Sequence, residues 1–269
     1  MKPFLKWAGG KSKLVPFILS YMPEVHSGRL IEPFVGSAAL SLAVDFDEYV
    51  LNDVNPDLIS LYQILQEQKT TFIDYAHSLF TPENNQELKF YELRERFNAL
   101  DKGEERAALF IYLNRHAFNG LCRYNSKGGF NVPFGRYSKP YFPKAEMLGF
   151  LQKADRMQFM CSDFECAMRL AEKDDVVYCD PPYAPLSPTA SFTSYAKDAF
   201  GEPEQRRLAL VAEEVSARGA HILISNHDTV FTREIYSDAL LQTIDVQRNI
   251  AAKGSSRFKV GEILAVYEY

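Results

Sequence analysis

Four runs along the chain are apolar at consecutive rather than alternate positions. They are Leu30-Ile31-Glu32-Pro33-Phe34, Tyr49-Val50-Leu51-Asn52-Asp53, Val176-Val177-Tyr178-Cys179 and His221-Ile222-Leu223-Ile224-Ser225. Such runs predict parallel strands buried on both faces. Helical composition follows the first two, at Ala38–Val44 after Gly36 and from Pro56-Asp57-Leu58-Ile59. Strand–helix alternation of this kind predicts a doubly wound α/β sheet. Two late strands, near Leu241–Arg248 and Val260–Tyr267, flank Ala251-Ala252-Lys253-Gly254-Ser255-Ser256. They predict an antiparallel hairpin at the sheet edge.

Between about Tyr62 and Leu148 the pattern changes. Leu88–Leu100 and Ala107–Phe118 have helical periodicity, and 119–143 is rich in Gly, Asn, Pro and rings, as in a loop or irregular hairpin. The expected organisation is one α/β domain from residues 1–61 and 149–269, with a mainly helical insertion at 62–148. A chain of 269 residues suits a domain with an insertion.

Composition narrows the class. At 46% hydrophobic residues the chain can bury a sizeable core. No run of about 18 apolar residues predicts a membrane span, and the N-terminus lacks a signal-peptide pattern, so a cytoplasmic location is expected. Cys122, Cys161, Cys166 and Cys179 form no CxxC pair and have no histidine at zinc spacing. Reduced thiols and no metal site are expected.

The net charge of −5 argues against nucleic acid, but its distribution does not. From Arg106 to Ala145 there is no acid, while Arg106, Arg115, Arg123, Lys127, Arg136, Lys139 and Lys144 occur there. The first twenty residues hold Lys2, Lys6, Lys11 and Lys13 and no acid. Rings interleave the longer stretch: Phe118, Tyr124, Phe130, Phe134, Tyr137, Tyr141 and Phe142. A local basic, aromatic face on an acidic protein predicts phosphate contact.

Two motifs carry chemistry. Phe34-Val35-Gly36-Ser37 follows a strand, and its glycine admits a ligand close to backbone. Asp53, at the end of the next strand, stands where an acid accepts ribose hydroxyls in nucleoside-binding sheets. Gly10-Lys11-Ser12 is not a Walker A loop, since Leu5 occupies the required glycine position. Trp7, Gly9 and Lys11 suit a cofactor wrap better. The second motif, Asp180-Pro181-Pro182-Tyr183, closes a predicted central strand. The lone pair of an aromatic exocyclic amine is delocalised into its ring. A carboxylate and a fixed carbonyl accepting its two hydrogens would draw the nitrogen toward a tetrahedral shape, with Tyr183 stacking on the base.

With these motifs the chain resembles the Dam family of S-adenosylmethionine-dependent DNA adenine-N6 methyltransferases over nearly its whole length. The resemblance rests on Phe4-Leu5-Lys6-Trp7-Ala8-Gly9-Gly10-Lys11, Glu32-Pro33-Phe34-Val35-Gly36 and Tyr112-Leu113-Asn114-Arg115. It continues through residues 119–125, 130–137 and Ser225-Asn226-His227-Asp228-Thr229. It implies a Rossmann-like class I methyltransferase sheet and S-adenosylmethionine contacts from Trp7, Lys11, Gly36, Asp53 and Asp180. It implies that 62–148 is the target-recognition domain for GATC in duplex DNA; an adenine rotated out of the duplex and a monomer in solution are also expected. Lys6 and Arg123 would read guanines, the latter with a fork suited to O6 and N7. Leu121, Pro133 and Tyr137 would pack around inner bases, Phe118 would wedge into the stack, and Asn119 would face the orphaned thymine. Arg136, Lys139 and the Lys253–Arg257 turn would hold phosphates. The family usually has glycine where this chain has Ala38, and commonly Tyr where it has Phe118. Alanine is expected to permit close approach, and a wedge needs only the ring. Other acceptors stay open: cytosine N4, adenine in RNA, a protein amide, or none in a non-catalytic DNA-binding relative.

Overall fold

The four apolar runs become strands of one seven-stranded mixed sheet. The computed structural model describes residues 1–24, 27–185, 200–246 and 260–268. The strands are β1 Leu30–Glu32, β2 Tyr49–Asn52, β3 Met157–Met160, β4 Val176–Cys179, β5 His221–His227, β6 Leu240–Val246 and β7 Val260–Tyr267. Their order is β3-β2-β1-β4-β5-β7-β6. β1, β4 and β5 pair in parallel. β7 runs antiparallel between β5 and β6, which makes the β6–β7 hairpin the expected edge feature. The turn that joins its strands, including Lys253–Arg257, lies outside the described residues.

Among the described residues the helices are α1 Val15–Leu19, α2 Pro56–Gln68, α3 Thr70–Ser78, α4 Glu87–Ala99, α5 Glu104–His116, α6 Lys144–Ala154, α7 Phe164–Met168, α8 Glu202–Ser216 and α9 Val230–Ile235. α2 starts where expected. The Asn55 side chain accepts from Asp57 N and Leu58 N, and Pro56 needs no partner at the first helical position. No described helix is long and apolar enough to cross a membrane.

The helix expected over Ala38–Val44 does not form. Gly36 and Ala38 both have left-handed backbones, at φ 46° and 58°. A right-handed helix cannot pass through such residues, so the segment closes in separate turns such as Ala43 N to Leu40 O. The departure at Ala38 therefore bears on backbone strain more than on ligand approach. An alanine in this region costs about 1 kcal/mol that glycine would avoid.

Contact density divides the chain into two units. One comprises Met1–Val15, Val35–Asp45 and Leu51–Cys161, and the other Pro16–Phe34, Phe46–Val50 and Ser162–Tyr269. In the first, α5 is buried at every position from Ala107 to His116 and packs against α2, α3 and α4. A helix apolar nearly all round belongs at the centre of its unit. Tyr62, Phe150 and Phe159 stack on one another, and Phe4 meets Tyr62 and Phe150 edge-on. Residues 119–143 form the expected irregular hairpin, with isolated bridges Ala117–Phe134 and Tyr124–Phe130. In the second unit, Leu30, Ile31, Val176, Val177 and Ile222–Ile224 form the apolar centre of the sheet. Leu208, Val211, Ala212 and Val215 of α8 are buried, and α8 packs on β5 and β7.

His116 at the end of α5 is 1% exposed, and its ring lies 3.9 Å from that of Tyr112. Burial lowers its pKa from 6.5 to about 4. The unfolded chain binds the proton first, so this contribution is complete above pH 6.5 and is lost as pH falls toward 4. Urea unfolding at pH 7.5 and 4.5 should show His116→Gln losing about 2–3 kcal/mol less stability than the wild type across that interval. Equal losses would contradict a buried neutral imidazole.

Candidate active site

β4 ends at Cys179, and Asp180-Pro181-Pro182-Tyr183 follows directly. The prolines have no N–H, and the ladder to β5 stops at the Cys179–Ile224 pair. Side chains hold the loop instead. Gln205 Nε2, from α8, donates to the Pro182 carbonyl at 2.7 Å. Ala184 N donates to Asn226 Oδ1 at 3.0 Å, and His227 Nδ1 lies 2.6 Å from the Ala184 carbonyl. The fully buried Asn226 also donates to Gln205 Oε1 at 2.9 Å and to the Tyr236 hydroxyl at 3.1 Å. Among the described residues the Pro181 carbonyl accepts no hydrogen bond.

The Tyr183 hydroxyl donates to Glu262 Oε2 at 3.0 Å. Its ring meets His227 edge-on, with centroids 4.8 Å apart. Burial, and then the charge of Asp180, hold the phenol well above its usual pKa. It is a neutral donor throughout the physiological range. In the same unit Phe34 stacks on Phe164 at 5.4 Å, and Phe200 meets both rings edge-on.

The first unit holds the second group. Asp53 follows β2; its Oδ2 accepts from Gly36 N at 3.1 Å and its Oδ1 from Asn55 N at 2.9 Å. Burial raises the Asp53 pKa, and these backbone bonds oppose the rise. The Tyr62 hydroxyl donates to the Gly36 carbonyl at 2.7 Å. A Cβ at Gly36 would lie 2.8 Å from Trp7 Nε1, so the indole occupies the space a side chain would fill. Trp7, Gly36 and Asp53 therefore come together as the sequence suggested, without the helix N-terminus once expected beside them. Lys11, four residues after Trp7, is 8% exposed, and its carbonyl accepts from Leu14 N and Val15 N. Among the described residues no cluster of His, Cys, Asp and Glu could hold a metal.

Apart from the Lys253–Arg257 turn, which lies outside the described residues, the residues singled out for DNA also lie in the first unit. Asn114, 1% exposed on α5, accepts from Lys6 N at 2.9 Å and donates to the carbonyls of Lys6 and Gly120. Lys6 Nζ sits 4.5 Å from the centre of the Tyr137 ring, and burial lowers its pKa. The Tyr137 hydroxyl accepts from Asn119 N at 2.9 Å. Asn119 is left-handed at φ 54°, and Gly120 at φ 62° has no room for a Cβ beside Lys6. Phe118 N donates to the Pro133 carbonyl while the ring stays 49% exposed. Leu121 N closes the turn on the Phe118 carbonyl. Arg123 is exposed, and its Nε donates to Asn131 Oδ1 at 2.8 Å. Arg136 pairs with Glu87 at 3.1 Å.

Comparison with known proteins decides what these groups belong to. Residues 7–250 match the D12 class N6 adenine-specific DNA methyltransferases. The DNA adenine methylase of Salmonella typhi is 48% identical over 267 residues, covering 99% of this chain and 95% of that protein. That of Vibrio cholerae serotype O1 is 48% identical, covering 99% and 96%, and that of Serratia marcescens 47%, covering 99% and 98%. The chain belongs to the D12 class of N6 adenine-specific DNA methyltransferases. It is an enzyme that methylates adenine in DNA.

In this methyltransferase the basic stretch is smaller than it looks in sequence. Arg106 is paired in two-point fashion with Asp57, at 2.6 and 3.0 Å, and Arg115 is buried against the Phe4 carbonyl. Lys144 pairs with Asp74. Four of the interleaved rings are engaged with other side chains of the unit. Phe130 is 2% exposed, Tyr124 donates to Asp57 at 2.6 Å, Phe134 packs on Phe90, and Phe142 stacks on His77. Arg123, Lys127, Arg136 and Lys139 stay exposed. The sequence alone did not point to Gln205 or Glu262. Asn114, Asn131, Asn226 and His227 stood out only within family motifs. A lone acid in the apolar run Val260–Tyr267 was the available signal for Glu262.

The chain's single tryptophan reports on the Gly36 contact. Gly36→Ala combines a left-handed backbone with a collision on the indole, and should lower stability by roughly 1–3 kcal/mol and shift Trp7 emission to the red. Unchanged melting and emission would show that the indole does not rest on Gly36.

Proposed function

We propose that this methyltransferase transfers a methyl group from S-adenosylmethionine to N6 of adenine in GATC, within duplex DNA, on a base rotated out of the stack. The observation that carries the reading is the unequal use of acceptors after β4. The Pro182 and Ala184 carbonyls are engaged by Gln205 and His227, whereas the Pro181 carbonyl, beside Asp180, accepts no bond from the described residues. A carboxylate and a fixed carbonyl side by side match the two hydrogens of an exocyclic amine. Accepting both withdraws the nitrogen lone pair from the ring and leaves it available to an electrophile. Tyr183 supplies a stacking face whose phenol stays neutral. A duplex hides N6 from such a pocket, which is why the base must leave the stack. Catalysis is then chiefly positioning and electrostatics.

S-adenosylmethionine supplies the electrophilic methyl group when bound. The first unit offers residues that fit it. The Asp53 carboxylate at a strand end suits ribose hydroxyls. Gly36 offers backbone without a side chain, and the Trp7 indole a flat apolar wall. Lys11 and Asp180 belong to the same assignment through the family resemblance.

Residues 62–148 are proposed to recognise the target. Asn131 fixes the Arg123 guanidinium through Nε, which restricts an exposed fork to few orientations before DNA arrives. Lys6, Leu121, Pro133 and Tyr137 complete base contact, with Phe118 as the wedge and Asn119 at the orphaned thymine. Arg136 and Lys139 position phosphates.

Asp180→Ala should abolish methyl transfer while DNA affinity, measured by filter binding, changes by less than about threefold. Turnover like the wild type in that variant would remove Asp180 from the chemistry. Arg123→Ala should cost roughly 1–3 kcal/mol at a single guanine, read as equalised kcat/KM on oligonucleotides substituted at that base. Undiminished discrimination would take Arg123 out of the readout.

A further inference from the structure

The backbone on either side of Tyr183 is pinned. Gln205 holds the Pro182 carbonyl, and Asn226 and His227 hold the Ala184 amide and carbonyl. These backbone bonds do not set the plane of the ring, which turns about two side-chain torsions. A stacking platform is useful only in one plane, so those torsions need a restraint. The far end of the ring has one. The Tyr183 hydroxyl donates to Glu262 Oε2 at 3.0 Å. Glu262 stands directly opposite His227 in the antiparallel β5–β7 register. His227 in turn meets the Tyr183 ring edge-on at 81°. Two adjacent strands thus address one ring, one at its oxygen and one at its edge.

Glu262 is also costly where it is. It is 3% exposed in a strand whose following residues, Ile263 to Tyr267, are all buried and apolar or aromatic. Placing a carboxyl group there carries a desolvation cost that a leucine would not. A residue chosen for packing alone would not carry an acceptor to this point.

We infer that Glu262 is a positioning residue for methyl transfer, holding the Tyr183 ring in the plane on which the target adenine stacks. The inference rests on the proposed role of Tyr183. Glu262 touches no reacting atom and acts through the phenol, so its loss lowers kcat and leaves binding of DNA and methyl donor in place.

A double-mutant cycle on the full chain tests it, with Tyr183→Phe, Glu262→Leu and the pair, each first checked by thermal unfolding. Tyr183→Phe keeps the stacking face and removes only the tether. Each single variant should lower kcat roughly tenfold with KM for DNA and S-adenosylmethionine within about twofold, and the pair should be no slower than either single. Glu262→Gln, which keeps an acceptor oxygen in place, should retain kcat within about threefold. Should Glu262→Leu fail to fold, the same cycle is run with Glu262→Met. Multiplicative losses in the pair, or a raised KM with unchanged kcat, would overturn the inference. So would full activity of Tyr183→Phe, while leaving the Asp180 clamp intact. Failure of the clamp itself would show separately, as wild-type turnover in Tyr183→Ala and Asp180→Ala.

Discussion

The proline pair after β4 is the constraint on which the candidate site depends. Two consecutive residues without N–H groups end the pairing to β5 and leave a loop that cannot hold itself through its own backbone. It must be held by acceptors it does have and by side chains brought from elsewhere. Gln205 comes from a helix and Asn226 and His227 from the neighbouring strand, and the three are linked through Asn226 and Gln205. This support uses the second half of the loop and leaves the Pro181 carbonyl without a hydrogen bond from the described residues. The same rigidity that stops the strand is what makes a carbonyl usable as a fixed acceptor.

The first unit solves a related problem differently. Its irregular segments are tied down by buried polar side chains rather than by regular ladders. Asn114 joins the Lys6 segment to the Gly120 turn, Asp57 gathers Arg106 and Tyr124, and Asp53 caps the Gly36 and Asn55 amides. Each of these groups would be expensive if unpaired, and each is paired. The exposed residues proposed to meet DNA are therefore mounted on a specified framework, although they sit in loops.

The sheet was legible because strands buried on both faces must be apolar at consecutive positions. The edge hairpin was legible because two β-rich runs flank a small, polar turn. The helix after Gly36 was misread because composition cannot reveal φ, and Gly36 and Ala38 are both left-handed. The basic face was overstated for a different reason. An acid-free stretch of sequence is not acid-free in space, and Asp57, Asp74 and Glu87 arrive from other helices to pair with Arg106, Lys144 and Arg136. Asp180, Pro181, Pro182 and Tyr183 could be proposed from their own chemistry, whereas Glu262 and Gln205 could not. Their meaning lies in which strand or helix stands next to the loop, and a single chain read in order does not contain that.

The central claim is that the clamp acts on adenine N6 in one duplex sequence. The direct measurement is to methylate plasmid DNA with methyl-labelled S-adenosylmethionine, digest it with nucleases that differ in sensitivity to methylated GATC, and identify the labelled nucleoside. Label confined to N6-methyladenine, with altered cleavage at GATC sites only, is the predicted result. Label on cytosine, or adenine methylation spread over sites unrelated to GATC, would contradict it.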